Sequence, residues 1–310
     1  MATPKSKKTT KKSSTKPKTT STKKVKEVVE TEKKSVAEVK AVAENKVQVQ
    51  AKGKLFEGFF ARKYDEKESV MTIFKNPKIY GAIIGEVVGT MFLSMLLLTL
   101  GVMQPIYLMF GVTVITLSVF KLSGAHLNPA ITVGMLASRR MSVIRSVLYI
   151  IAQVIGAWLG LLIVNGFRLA GTGKTELPAL AAISGEKFWV TTMVEVVGAI
   201  MLGFFFARAL MYKKSALTFS TMMAAGLTTA VLIAILVSSN LLGLQNNFIL
   251  NPAVAFMYQA MPSSGSDFGK LMGDVCLALG TYVVFPMIGG IIGFYISDFA
   301  GRLAGEKVED

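Results

Sequence analysis

The chain has 310 residues, 52% of them hydrophobic, with a formal net charge of +15 on a mean hydropathy of +0.52. A soluble domain that covers its core with polar surface does not combine these values, so a membrane class leads. Cys276 is the only cysteine and His126 the only histidine, so neither an internal disulfide nor a Cys/His metal centre is available, and no Ser-His-Asp constellation is recognisable. No enzymatic chemistry and no cofactor is expected.

Residues 1–54 are Lys-rich and poor in large apolar groups, with Lys7, Lys8, Lys11, Lys12, Lys16 and Lys18 close together. They are expected to be a disordered tail, although the valines between Val25 and Val42 have loosely helical spacing that suits folding on a partner. Such a tail fits anionic lipid, at about 1 kcal/mol per Lys near the surface, better than nucleic acid. No apolar run precedes residue 79, so no signal peptide is readable and the first span is expected to be permanent. Residues 55–78 place Phe56, Phe59, Phe60, Tyr64 and Phe74 among charges and suit a short interfacial helix.

Six stretches are apolar enough to cross a bilayer core of about 30 Å: residues 79–101, 105–121, 146–167, 189–211, 218–239 and 273–298. An even number puts both termini on one side. That side carries Arg139, Arg140, Arg145, Arg208, Lys213, Lys214, Arg302 and the tail, against Arg168, Lys174, Lys187 and Lys270 opposite. Positive charge stays inside, so both termini are expected to be cytoplasmic.

Three landmarks recur in the same order. Glu86-Val87-Val88-Gly89 returns as Glu195-Val196-Val197-Gly198, Asn128-Pro129-Ala130 as Asn251-Pro252-Ala253, and Ile155-Gly156-Ala157-Trp158-Leu159-Gly160 is echoed by Ile288-Gly289-Gly290-Ile291-Ile292-Gly293. Each half holds three spans, so the second enters the membrane from the opposite side. The fold expected is an all-α membrane domain over 79–299, with inverted repeats at 79–168 and 189–299 and a short tail at 300–310.

The two Asn-Pro-Ala segments are too short to span. Asn is a favoured N-cap and Pro suits the first helical position, so each starts a half-helix, and inversion brings the two starts together at mid-membrane. Irregular backbone at that depth is tolerated only where it is buried in protein or lines a watery cavity, which places both segments at a pore. Two helix N-termini direct about half a positive charge each at its centre and disfavour cations, while the Asn amides donate to a passing oxygen.

Here the chain resembles the aquaporin and glycerol-facilitator family, the major intrinsic proteins. Ser123-Gly124-Ala125-His126-Leu127-Asn128-Pro129-Ala130-Ile131-Thr132 is similar to the family signature almost letter for letter, and Tyr149-Ile150-Ile151-Ala152-Gln153 and Pro286-Met287-Ile288-Gly289-Gly290 are similar as well. The resemblance implies six spans with two half-helices, a homotetramer with one pore per subunit, and a bilayer location that is expected to be the plasma membrane. Val254 stands where the family usually places a filter arginine, and Ala255 where glycerol facilitators carry aspartate. By spacing, Ser239 and Phe248 take two further filter positions, and the second-helix position is Leu108 or Phe110. Loss of a guanidinium removes five donors and a fixed charge. A wider filter of the glycerol type is expected, passing glycerol and related polyols with or without water; Lys270 is the alternative cation.

Glu86 and Glu195 lie in apolar spans, where an ionisable group costs about 2.5–3.5 kcal/mol. Either they bond the loop backbone, which the resemblance implies, or with His126, expected near the cytoplasmic mouth, they relay protons in a coupled transporter. Gly81, Gly85, Gly89, Gly156 and Gly160 recur every four positions and read as close helix packing. Gly171-Thr172-Gly173-Lys174-Thr175 lacks the preceding strand and first glycine of a phosphate loop. Three functions are in play: passive channel, proton-coupled transporter, and membrane anchor for the basic tail.

Overall fold

In the computed structural model, the described residues are 69–100, 104–174, 185–236, 248–259 and 268–306, with Glu30, Lys33, Lys34, Ala37, Glu38 and Lys40 from the tail. Those six are helical and exposed, in a unit, Met1–Ala61, separate from Arg62–Asp310. The rest of the expected tail, and residues 55–68 of the expected interfacial helix, lie outside the described residues. Ser69 opens a single helical turn, Val70–Ile73, which it caps reciprocally with Thr72.

Among the described residues, six helices are long and apolar enough to span: Lys78–Leu100, Pro105–Ser123, Val143–Thr172, Phe188–Tyr212, Ala216–Ile235 and Val275–Leu303. We number the elements α1 (Lys78–Leu100), α2 (Pro105–Ser123), α3 (Pro129–Ala137), α4 (Val143–Thr172), α5 (Gly185–Ala209), α6 (Ala216–Ile235), α7 (Pro252–Gln259), α8 (Phe268–Leu279) and α9 (Phe285–Leu303). No strand occurs among the described residues. The short α3 and α7 are the half-helices, and α8 and α9 form one span interrupted by a π-turn at Gly280–Val284. Pro286 follows that turn and lacks the N–H that an α-helix would donate back to Tyr282, so the ladder loosens there.

Several spans run past their apolar cores. α4 begins at Val143 because the Ser142 side chain accepts from the Arg145 N–H, and it ends where Gly173 turns left-handed at φ 69. The fifth span is described as helix only to Ile235.

The repeats are visible as matched packing. α1 lies along α4 and α5 along α9, α2 crosses to α6, half-helix α3 packs on α9, and half-helix α7 packs on α4. Glycines set the close approaches. A Cβ on Gly156 would strike the Val87 carbonyl and one on Gly160 the Met91 carbonyl; in the second half Gly289 and Gly293 face the Val196 and Ile200 carbonyls in the same way. The α1–α4 and α5–α9 contacts are therefore one backbone-to-backbone seam used twice. Gly81 departs from the expected stripe, because nothing lies within 4 Å of a Cβ built there.

At one end of the bundle, Arg208 forms a bidentate pair with Glu306, at 2.6 and 2.8 Å, joining α5 to the residues after α9. The paired guanidinium holds the Glu306 carboxyl below its ordinary value of 4.5.

Gly156→Val and Gly293→Val are expected to destabilise the fold by about 1–3 kcal/mol each, whereas Gly166→Ala, with open space at its Cβ, should stabilise it by up to about 1 kcal/mol; thermal unfolding in detergent separates the two classes. Because the Glu306 pKa is depressed in the folded state, its contribution is present above the unfolded pKa and disappears as pH falls through the folded one. Melting temperatures of the native chain and Glu306→Gln should differ at pH 7 and converge below the ordinary carboxylate range.

Candidate pore and its central clasp

The chain between α2 and α3 must leave a helix, reach mid-bundle and start a new helix within a few residues. Gly124 ends α2 at φ 85, and Ala125 and Leu127 follow at φ 54 and 52, left-handed values that are strained for residues with a Cβ. Leu250, just before the second tripeptide, repeats the conformation at φ 57. Such strain of about 1–3 kcal/mol per residue persists only where the surroundings over-determine it.

Both leucines are held at three points. The Leu127 N–H donates to Glu86 Oε2 at 2.8 Å and the Leu250 N–H to Glu195 Oε2 at 3.1 Å. The Leu127 carbonyl accepts from Asn251 Nδ2 at 2.9 Å, and the Leu250 carbonyl accepts from Asn128 Nδ2 at 2.8 Å. The Leu127 side chain fills the space where Gly89 has no Cβ, and Leu250 fills the space at Gly198. Each loop is thus clamped by the asparagine of the other, a reciprocal clasp across the junction of the repeats.

The asparagines also cap their own helices. Asn128 Oδ1 accepts from the Ala130 N–H at 2.9 Å and Asn251 Oδ1 from the Ala253 N–H at 3.1 Å. A carboxamide carries two N–H groups. One closes the clasp, which leaves the second on each asparagine uncommitted among the described residues. Pro129, Pro252, Ala130 and Ala253 are buried at the two helix starts.

Glu86 and Glu195 are buried structural acceptors. Glu86 takes the His126 and Leu127 N–H groups and Gln153 Nε2 at 2.7 Å. Among the described residues Glu195 takes the Ile249 and Leu250 N–H groups alone. The difference follows from the repeat, since Pro286 stands at the register position of Gln153.

A cavity runs past the clasp, lined by Leu93, Leu97, Val112, Thr116, His126, Asn128, Leu202, Leu227 and Asn251, among others. Its volume is about 20 Å³, room for one or two waters on a measure where a single water needs roughly 10–15 Å³. His126 is buried on this wall, its ring clamped edge-on by Tyr149 and Phe206, at 5.2 and 5.5 Å. Thr132 Oγ1 donates to the Asn128 carbonyl and accepts from Gln153 Nε2. This network assigns the proton of His126 to Nδ1, which donates to Thr132 at 3.2 Å, and leaves Nε2 as an acceptor.

The expected filter positions separate. Phe110 is 63% exposed on the outer face of α2, while Leu108 is fully buried in the cluster that contains Phe248. Leu108 is followed inward by Val112, Thr116 and Val119 at helical spacing, and Phe110 lies some 200° around the helix, so it cannot share that face. Val254 is buried in a second cluster with Ala157, Ala278 and Tyr282. Ser239 and the Lys270 side chain lie outside the described residues.

Thr116 and the hydrogen-bonding roles of Thr132, Gln153 and the two leucine carbonyls escape motif-based reasoning, although one signal points to the last: the same leucine precedes both tripeptides.

Residues 73–297 match the major intrinsic protein family. The chain belongs to that family. Among its relatives are dog aquaporin-1, 31% identical over 199 residues that cover 62% of this chain and 65% of that protein, and human aquaporin-1, 30% identical over 195 residues with the same two coverages. The chain therefore spans about two-thirds, just short, of the length of these relatives. Of solved structures, the aquaglyceroporin from Plasmodium falciparum superposes with a TM-score of 0.47 at 19% identity, covering 72% of this chain and 96% of that one.

Asn128→Ala and Asn251→Ala each remove an N-cap, about 1 kcal/mol, and leave a buried carbonyl unpaired, about 1–3 kcal/mol. Each is expected to lower stability by about 2–4 kcal/mol, equally for the two sites, and the double variant by less than the sum because both act on one junction. Thermal unfolding of the purified protein checks all three values.

Proposed function

We infer that the chain is a passive transmembrane channel for small uncharged solutes. The observation that carries this reading is the clasp itself: two helix N-termini and the second amide N–H of each asparagine converge on a cavity with room for one or two waters. An oxygen-bearing neutral solute gains hydrogen bonds there, and a cation meets the positive ends of two helices. The remaining wall, Leu93, Leu97, Val112, Leu202 and Leu227, binds a polar solute weakly enough to let it leave.

Glycerol and related polyols, along with water, are the solutes we assign. The support is Val254 where the family usually carries arginine, with Phe248 and Leu108 adding apolar surface; a filter without guanidinium is wider and less polar. A homotetramer in the plasma membrane, with both termini cytoplasmic and the basic tail on anionic lipid, completes the proposal on the family resemblance and the distribution of Arg and Lys.

A proton-coupled transporter would use Glu86, Glu195 and His126. Both carboxylates instead bond loop backbone, and neither lines the cavity, which favours the channel. Glu86→Gln keeps equilibration in a channel that folds and abolishes gradient-driven accumulation in a carrier. The anchor reading leaves the paired loops without a purpose.

Stopped-flow light scattering of proteoliposomes, set against empty liposomes, tests the assignment. Fast shrinkage in an osmotic step followed by fast re-swelling in glycerol is the expected result. Shrinkage alone would restrict the channel to water, and absence of both would overturn the channel reading.

A further inference from the structure

The wall of the cavity is connected to one end of the bundle by a continuous stack of rings. Arg140, just after half-helix α3, pairs through both guanidinium nitrogens with Asp298 on α9, at 3.0 and 2.5 Å, with the two side chains only 16% and 8% exposed. The same guanidinium sits over the Phe294 ring, 5.6 Å from its centroid. Phe294 precedes Asp298 by one helical turn, so one face of α9 presents both groups to Arg140. Phe294 lies 6.0 Å from Phe206, and Phe206 meets the His126 ring edge-to-face at 5.5 Å and 85°. Phe219 braces Phe206 from the side at 5.4 Å. Phe206, Phe219 and Phe294 are fully buried, and none of the three lines the cavity.

The stack has no slack at its lower end. The Phe294 ring occupies the space where Gly134 of α3 has no Cβ, so it also bears on the half-helix that carries Asn128. Packed interiors transmit small displacements because their side chains interlock.

We propose that Phe206 is a positioning residue that sets the calibre of the pore at His126, and that the Arg140–Asp298 pair controls this calibre through Phe294. Phe206 packs edge-to-face on the imidazole without itself lining the cavity and stops the ring from withdrawing. The ion pair holds the guanidinium on Phe294, and Phe294 holds Phe206. The inference rests on the channel reading and adds to it a determinant of solute size that touches no solute.

Full-length protein in proteoliposomes provides the test, with the ratio of glycerol to water permeability as readout. A variant that merely loses stability lowers both permeabilities and leaves the ratio alone. Phe206→Leu opens space behind the imidazole and should raise the ratio by about threefold or more; Asp298→Asn should raise it less, and the double variant no further than Phe206→Leu alone, since groups coupled in one chain of contacts are non-additive. Independent, multiplying effects, or an unchanged ratio in variants that still conduct, would overturn the proposal. Should Phe206→Leu fail to reconstitute, Asp298→Asn is compared in the native and His126→Ala backgrounds. A shift confined to the native background supports the coupling, and an equal shift in both overturns it. If the native chain conducts neither solute, the channel reading falls instead, so the two failures are distinguishable.

Discussion

The hydrogen bonds that cross between Asn128 and Leu250 and between Asn251 and Leu127 carry the architecture. Backbone that leaves a helix at mid-membrane has no water to satisfy it. Here the orphan groups of each loop are answered from two directions, the N–H by a carboxylate of its own repeat and the carbonyl by an amide of the other. The left-handed turns at Leu127 and Leu250 persist because each residue is tied through its N–H, its carbonyl and its side chain at once. Removing any tie releases strain into the remainder, so loops, half-helices and pore centre form one mechanical unit.

The buried carboxylates make sense within that unit. Glu86 and Glu195 each sit in an apolar helix where a lone charge is costly, yet each collects two backbone N–H groups that would otherwise be unpaired at the same depth. The expense of burying the acid and the need to satisfy the loop offset each other. The ion pairs at one end of the bundle do related work between chain segments: Arg140–Asp298 ties half-helix α3 to the last span of the opposite repeat, and Arg208–Glu306 ties α5 to the residues that follow α9.

The two-fold relation between the repeats is kept along the helix seams and dropped around the clasp. Gly156 and Gly289, and Gly160 and Gly293, are paired where a Cβ would strike backbone, and Gly89 and Gly198 where it would strike a leucine side chain. His126, Thr132 and Gln153 in the first half answer to Ile249, Ala255 and Pro286 in the second. One flank of the centre is therefore polar and hydrogen-bonded while the other is apolar.

The sequence by itself determined the class, the spans, the inverted repeats and the positions of both Asn-Pro-Ala half-helices. These are set by local rules, since a length of about 20 apolar residues, an Asn-Pro helix start and the parity of the span count need no knowledge of neighbours. It also marked Glu86 and Glu195 as needing partners, though it could not name them. Tertiary structure alone decided that Phe110 faces outward while Leu108 faces in, that His126 is walled in by Tyr149 and Phe206, that Gly81 lies outside the seam, and that each asparagine donates to the leucine of the other loop. Those outcomes depend on helix rotation and on contacts between residues more than a hundred positions apart, where a shift of one residue turns a side chain by about 100° and reverses its environment.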